Sequence, residues 1–410
     1  MAYPLAMKRL FAVACLTGLS GVVVPANLAA QDLVISNARI IVGNGSVIES
    51  GTLVIRGGRI VSAGAADAAP AGARQIDARG MTLMPGFIDG HRHIIGGNAD
   101  QWLEDQAAQR MQEFLEAGYT TLLAGGGPAE GNLELKRRID SGQLKGPRVI
   151  PAGAVNLNNG TPEQARAELR RLAALGIRFI GEETINPKPP TPTQLENLRA
   201  IVDESKKVGA LVMVHAVSPQ AMHAAVDAGV PLLVHTPHFG WLTNEDARRV
   251  AAAGIKQLST IAFGVPLFDV LNQDNVPTFR DGKKWPDEIL DGDGRGQEAG
   301  YKAVNARTLW DNGVVYGYGT DTGYLPVKAL AQELKALNLM FSMKDIVKLM
   351  GPNSAAFVQQ STDIGTLEPG KRADIVVFGA NPLDGYWNML NATVVIKGGE
   401  VVVDKRANRR

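Results

Sequence analysis

A single cysteine, Cys15, stands in 410 residues, and it lies so near the N-terminus that disulfides and thiolate metal ligands are excluded from the body of the chain. Charge of one sign is equally scarce. Lys and Arg number 42 against 41 Asp and Glu, a net charge of +1, with no block of like charge long enough to attract nucleic acid or an anionic membrane. Long apolar runs are missing too, apart from Leu10 to Val24, which is too short to span a bilayer comfortably. Lys8 and Arg9 precede that run, and small residues ending at Ala29 and Ala30 follow it, the pattern of a secretory signal peptide over residues 1–30. Cleavage near Ala30 would remove Cys15 and take the formal charge from +1 to −1. The expectation is an exported protein, periplasmic or secreted, free of the membrane once processed.

What is present is strand and turn. From Leu33 to Gly64, β-branched runs alternate with the turns Gly43-Asn44-Gly45 and Gly57-Gly58, and the same grammar returns at Asp374 to Phe378 and Thr393 to Val403, with Gly398-Gly399 as a hairpin. Neither end has enough strands to be stable alone. Residues 31–80 and 361–410 are therefore expected to pair into one small β-sandwich. Residues 81–360 alternate short apolar runs with longer amphipathic ones, the pattern of βα units around a parallel sheet. Eight strands are expected: Leu83 to Asp89, Thr120 to Leu123, Arg148 to Ala152, Ile177 to Ile180, Leu211 to His215, Leu232 to His235, Gln257 to Ile261 and Val314 to Tyr318. Thr161-Pro162, Ser218-Pro219 and Ser342 with Asp345 read as helix starts. The fold class is then α/β, a (β/α)8 TIM barrel plus the sandwich. Asn272 to Gly300 reads as a long polar connection; its Asp291-Gly292-Asp293-Gly294 lacks the remaining spacing of a calcium loop.

Six histidines are present, and five fall at or just past expected strand ends. His91 and His93 are two apart, so in an extended segment they share a face while Arg92 points away. His215 ends strand five, His235 ends strand six, and Asp321 follows strand eight. Catalytic groups gather on the C-terminal rim of such a barrel, so four imidazoles and a carboxylate converge there, a donor set suited to zinc or a similar divalent ion. His238, on the loop after strand six, is placed to hydrogen-bond an oxyanion or a substrate carboxylate. Phe239, Trp241 and Tyr324 are candidate apolar walls. His223 lies within a helix and is given no role.

The run Met84-Pro85-Gly86-Phe87-Ile88-Asp89-Gly90-His91-Arg92-His93, Val214-His215-Ala216, Gly319-Thr320-Asp321 and the closing Gly365-Thr366-Leu367-Glu368-Pro369-Gly370-Lys371-Arg372-Ala373-Asp374 resemble the amidohydrolase superfamily, in particular its imidazolonepropionase-like and prolidase-like branch. The resemblance covers nearly the whole chain beyond residue 30. It implies one or two divalent ions per chain, most simply Zn2+, held by His91, His93, His215, His235 and Asp321. It also implies hydrolysis of an amide or peptide bond by metal-activated water, with Asp321 moving the proton. Many dinuclear members bridge their ions with a carboxylated lysine on strand four. Here Ile180-Gly181-Glu182-Glu183 stands at that place, with glycine in the lysine's position; Glu182 is the candidate bridge, with Glu183 close behind, and a mononuclear site is the alternative. Strict alternation would put Glu183, not Glu182, on Gly181's face.

The expected partner is a small molecule: an amide, a dipeptide or an N-acyl amino acid. A homo-oligomer is left open. Ester, lactone or phosphotriester hydrolysis and deamination are alternatives on the same kind of centre, although Ala216-Val217-Ser218-Pro219 after His215 lacks the acid that resemblance to the deaminating branch would call for. A binding protein that kept the barrel without its chemistry is the reading from another class.

Overall fold

In the computed structural model, which describes residues 32–64, 70–262, 295–323 and 325–406, the β-branched N-terminal segment forms β1 (Leu33–Ile41), β2 (Val47–Arg56), β3 (Arg59–Gly64), β4 (Arg74–Asp77) and β5 (Thr82–Pro85). The barrel follows with β6 (Phe87–Arg92), β7 (Tyr119–Ala124), β8 (Arg148–Gly153), β9 (Phe179–Thr184), β10 (Leu211–His215), β11 (Leu232–Leu233), β12 (Lys256–Leu258) and β13 (Val315–Gly317). The chain then returns through β14 (Ile375–Phe378), β15 (Ala392–Lys397) and β16 (Glu400–Asp404). Residues 1–30, expected to be a signal peptide, lie outside the described residues, as do Trp285-Pro286, Asp291 to Gly294 and Tyr324.

Both chain ends enter one sheet of order β16-β15-β14-β5-β1-β2-β3, with β4 also on β1. Gly398 and Gly399 both have positive φ, +56° and +84°, as a two-residue hairpin turn of this hand demands. The β2–β3 hairpin folds back on the segment before β14, where Ile60 N–H donates to Lys371 O and Ala373 N–H to Gly58 O, both at 2.9 Å. Curled in this way, the sheet encloses Leu33, Ile35, Leu53, Ile55, Val377 and Ile396.

The first expected barrel strand is in fact two. Thr82–Pro85 pairs with β14 in the terminal sheet, and Phe87–Arg92 pairs with β7 in the barrel. Gly86 is the handover: its N–H donates to Asp374 O at 2.9 Å, and a Cβ there would meet Thr120 Oγ1 at 2.3 Å. The terminal sheet thus extends past the boundary expected at residue 81. The strand-four expectation is corrected as well, because β9 runs to Thr184 and carries both glutamates within it.

β6 to β13 lie side by side in chain order, parallel throughout. The ring closes where Gly90 N–H donates to Tyr318 O at 3.0 Å and Asp321 N–H to His91 O at 2.9 Å. Helices cover the outside; Thr161 and Ser342 close capping boxes and Ser218 caps the helix Pro219–Asp227. Apolar residues from successive strands, among them Ile88, Phe179, Met213 and Leu232, pack together inside the barrel, with Phe357 and Val358 against them. The candidate metal donors stand at the C-terminal rim. The segment expected to be irregular up to Gly300 is helical from Arg295, in the helix Arg295–Asp311.

Candidate metal centre

His91 and His93 leave β6 on the same side, as their spacing requires. His91 is fully buried, whereas 43 % of the His93 side chain is exposed. Two glycines after β7 make room for them: a Cβ on Gly125 would lie 1.8 Å from His91 Nδ1, and one on Gly126 2.3 Å from His93 Cε1. Asp321 reaches the same point from the segment after β13. Its Oδ1 stands 3.1 Å from His91 Nε2 and 3.0 Å from His93 Nε2.

Glu182 completes the group because β9 departs from strict alternation. Val212 to Val214 on β10 spans two steps, while the partners Ile180 to Glu183 span three. The extra residue is a bulge, which re-aims a side chain. Gly181 within it has φ +131°, and a Cβ there would lie 2.4 Å from Met213 O, so no side chain fits where the resemblance places a lysine. Glu182 Oε2 faces His91 Nε2 at 3.0 Å and His93 Nε2 at 3.9 Å. Its other oxygen, Oε1, faces His215 Nδ1 and His235 Nε2, each at 2.5 Å. Glu183, the other candidate, is turned out of the cluster and accepts Val155 N–H at 2.7 Å; burial pushes its carboxyl up to about 8.

The donor atoms fall into two groups that could each hold a metal ion: His91, His93, Glu182 and Asp321, and Glu182, His215 and His235. Ligand atoms ~2.0–2.1 Å from one tetrahedral zinc lie roughly 3.3 Å from one another. The first group, at 3.0 to 3.9 Å, matches that spacing. The second is drawn in closer, with one carboxylate oxygen between two imidazoles. Among the described residues His91 Nδ1 is buried without a hydrogen-bond partner, and the ring engages the cluster through Nε2. Nitrogen and oxygen donors without thiolate suit a divalent ion of the zinc kind.

The electrostatics reinforce this arrangement. Burial opposes the charge on Glu182 and Asp321, yet the surrounding imidazoles hold both carboxyls well below the usual range. Burial likewise opposes protonation of His91, but Glu182 and Asp321 raise it to about 10. His235 moves the other way, lowered by its burial. Without an ion, protons and imidazoles must balance the two carboxylates, a balancing charge that a bound cation supplies directly.

Around the centre stand residues that sequence reasoning missed. Asp89 accepts His91 N–H at 3.2 Å, Thr320 N–H at 3.1 Å and Thr320 Oγ1 at 2.7 Å, while Arg92 donates to Thr320 Oγ1 at 2.9 Å. Thr260 Oγ1 lies 2.9 Å from His235 Nδ1. Asn305, on the helix Arg295–Asp311, donates to Pro237 O and Gly240 O and accepts Leu242 N–H, fixing the loop of His238. Asp89, Arg92 and Thr320 lie inside the motifs that carry the family resemblance, though no role was given to them; nothing in sequence marked Thr260 or Asn305.

His238 is mostly buried, 3.9 Å from Glu298 Oε1, and burial, helped by the Lys302 charge, lowers it to about 3. It is therefore a neutral imidazole. Phe239 and Trp241 are exposed beside it; the Lys188 ammonium lies 5.3 Å from the Phe239 ring and Tyr301 is 4.4 Å from Trp241. His223 pairs with Asp246 at 2.6 Å, away from these groups.

The imidazolonepropionase of Caldanaerobacter subterraneus subsp. tengcongensis is 23 % identical over 405 residues, covering 84 % of this chain and 88 % of the relative. Among solved structures, a candidate prolidase from Bifidobacterium longum superposes with TM-score 0.75 at 25 % identity, covering 92 % of this chain and 97 % of that one. A Xaa-Pro dipeptidase with bound methionine gives TM-score 0.74 at 22 % identity, covering 91 % of this chain and all of the other. The Amidohydrolase family profile matches residues 82–402, which takes in every candidate metal ligand and the whole barrel; the chain belongs to the amidohydrolase family and is a hydrolase of carbon–nitrogen bonds.

Proposed function

We propose that this chain hydrolyses the carbon–nitrogen bond of a small amide, dipeptide or N-acyl amino acid at a centre of two divalent ions, most simply zinc, bridged by Glu182. The observation that carries the reading is the division of Glu182: Oε2 belongs to the His91, His93 and Asp321 group and Oε1 to the His215 and His235 group. Ions held there would polarise the scissile carbonyl and bring the pKa of a water towards ~7.

The chain's own residues supply the rest. Asp321, held ionised by His91 and His93, is a proton acceptor at neutral pH; it takes a proton from the attacking water and delivers it to the leaving nitrogen. Neutral His238 donates a hydrogen bond to the developing oxyanion or to a substrate carboxylate. Phe239 and Trp241 wall the entrance. The relatives, an imidazolonepropionase and a Xaa-Pro dipeptidase, support a small, compact substrate. Residues 1–30 support export, which N-terminal sequencing of the recovered protein would check by finding a start near Gln31.

Elemental analysis of the purified protein tests the centre. Wild type should hold close to two ions per chain and Glu182→Gln fewer, with hydrolysis of amide and dipeptide panels falling in step. One ion per chain, unchanged in the variant, would overturn the bridged reading.

A further inference from the structure

Glu333 is a buried carboxylate that the proposed chemistry does not use. It lies on the helix Pro326–Asn338, outside the barrel wall, and is 1 % exposed. Its two oxygens are divided between consecutive backbone groups past the end of β12: Oε1 accepts Ile261 N–H at 3.0 Å and Oε2 accepts Ala262 N–H at 2.9 Å. Two charge-assisted bonds of this kind fix a chain segment more firmly than neutral ones would.

The residue just before that clasp is Thr260, with φ +45°. A β-branched residue disfavours this left-handed conformation and keeps it only where the surroundings over-determine it. Here they do. Thr260 N–H donates to Gly319 O at 3.1 Å, and Glu333 fixes the two residues that follow. The conformation directs Thr260 Oγ1 to His235 Nδ1 at 2.9 Å, and the Gln257 side chain donates to the His235 carbonyl. When Nδ1 donates to Thr260, the other nitrogen, Nε2, keeps its lone pair. That nitrogen is the one facing Glu182 Oε1 at 2.5 Å, and partners on the far side of an imidazole set both its orientation and its tautomer as a ligand.

We infer that Glu333 is a positioning residue for the second metal ion, acting through Thr260 to hold His235 in its ligating tautomer and orientation. The inference rests on the two-ion reading and assigns Glu333 no contact with metal or substrate. It makes the His215 and His235 group depend on a carboxylate in the outer helix layer, and leaves the His91 and His93 group independent of it.

The test is a zinc titration of metal-stripped protein against a chromophoric chelator, at pH 8, where the Glu333 carboxyl, raised by burial to about 7, is ionised. Wild type should bind two ions in separable steps. Glu333→Gln offers an amide NH2 where a backbone N–H needs an acceptor; it should weaken one step roughly 10–100-fold, the usual cost of losing an outer-shell partner, and leave the other unchanged. Thr260→Ala should weaken the same step and Thr260→Ser restore it, and the double variant Glu333→Gln/Thr260→Ala should bind no worse than the weaker single. Unchanged binding in Glu333→Gln, equal loss at both steps, or multiplicative losses in the double variant overturn the inference while sparing the two-ion reading. A single ion in wild type removes both. Thr260→Ala and Thr260→Ser differ only by the hydroxyl, so they decide the matter whatever Glu333→Gln does to folding: equal zinc binding by these two overturns the inference.

Discussion

His91, His93, Asp321 and, at the end of β10, His215 are placed by backbone, whereas His235 is oriented by a side chain. In the first group two candidate ligands come from one segment, His91 in β6 and His93 just past its end, and Asp321 is tied to that segment through its own N–H on the His91 carbonyl; the Asp89, Thr320 and Arg92 cluster locks the joint from behind. In the second group the candidate ligands come from different places, His215 from the end of β10 and His235 from two residues past β11, which is only two residues long, and His235 is oriented by the Thr260 hydroxyl. Glu182 belongs to both. A group fixed by main-chain ladders should keep its shape when a side chain is changed and lose chemistry instead; a group with a ligand fixed by a side chain should lose its shape first.

The largest effect is expected in the first group. Asp321→Asn keeps one coordinating oxygen and the backbone bond to His91 but removes the proton acceptor, so kcat should fall by about 10²–10⁴-fold while metal content stays near that of wild type. Steady-state kinetics beside elemental analysis would show this. Wild-type kcat in the variant would remove Asp321 from the proton path, and loss of metal would show that this group is no more robust than the other.

In the second group the next effect is a dependence of stability on pH. Burial raises the Glu333 carboxyl from 4.5 to about 7, so between those values the folded chain holds a proton that the unfolded chain has released. Stability at this position is fully present below pH 4.5 and falls as pH rises through 7, by on the order of 3 kcal/mol. Urea unfolding of metal-saturated wild type and Glu333→Gln at pH 5 and pH 8 should show a loss larger in wild type by about this amount, on top of the loss that both proteins share through Glu183, which burial raises to about 8. Parallel losses in both proteins would place the titrating group elsewhere.

How much could be read in advance follows the same division. The backbone-placed group was legible: the His91-Arg92-His93 alternation needs only an extended strand, and Asp321 needs only a strand end. Eight βα units could likewise be seen because apolar periodicity is a local signal. Glu182 was legible as a candidate but not as the choice over Glu183, since the bulge at Gly181 depends on the neighbouring strand's carbonyl at Met213. The break at Gly86 was hidden because Leu83 to Ile88 carries no charged or polar side chain and either sheet could claim it. Thr260, Asn305 and Glu333 act through contacts 25 to 72 residues distant in sequence, and no periodicity encodes those.

A smaller effect tests the lock behind the first group. Thr320→Val removes a hydroxyl that donates to buried Asp89 and accepts from Arg92, leaving two buried charged groups each short of a partner. Stability should fall by about 1–3 kcal/mol in chemical denaturation. Both zinc-binding steps should survive, because Asp321 N–H still holds to His91 O. Loss of zinc from the first group would mean that side chains, not backbone, place it, and the contrast between the groups would collapse.

The smallest effect belongs to the entrance above the second group. The Lys188 ammonium over the Phe239 ring is exposed, where a cation on an aromatic face contributes only about 0.5–1 kcal/mol. Lys188→Met should therefore leave kcat and metal content unchanged and raise KM by no more than about fivefold, and only for substrates carrying a carboxylate. The same rise for neutral amides would show that Lys188 holds the Phe239 wall in shape and does not attract charge. A fall in kcat would extend the side-chain-placed region from His235 out to the loop after β9, making the second group more fragile than the Thr260 and Glu333 contacts alone imply.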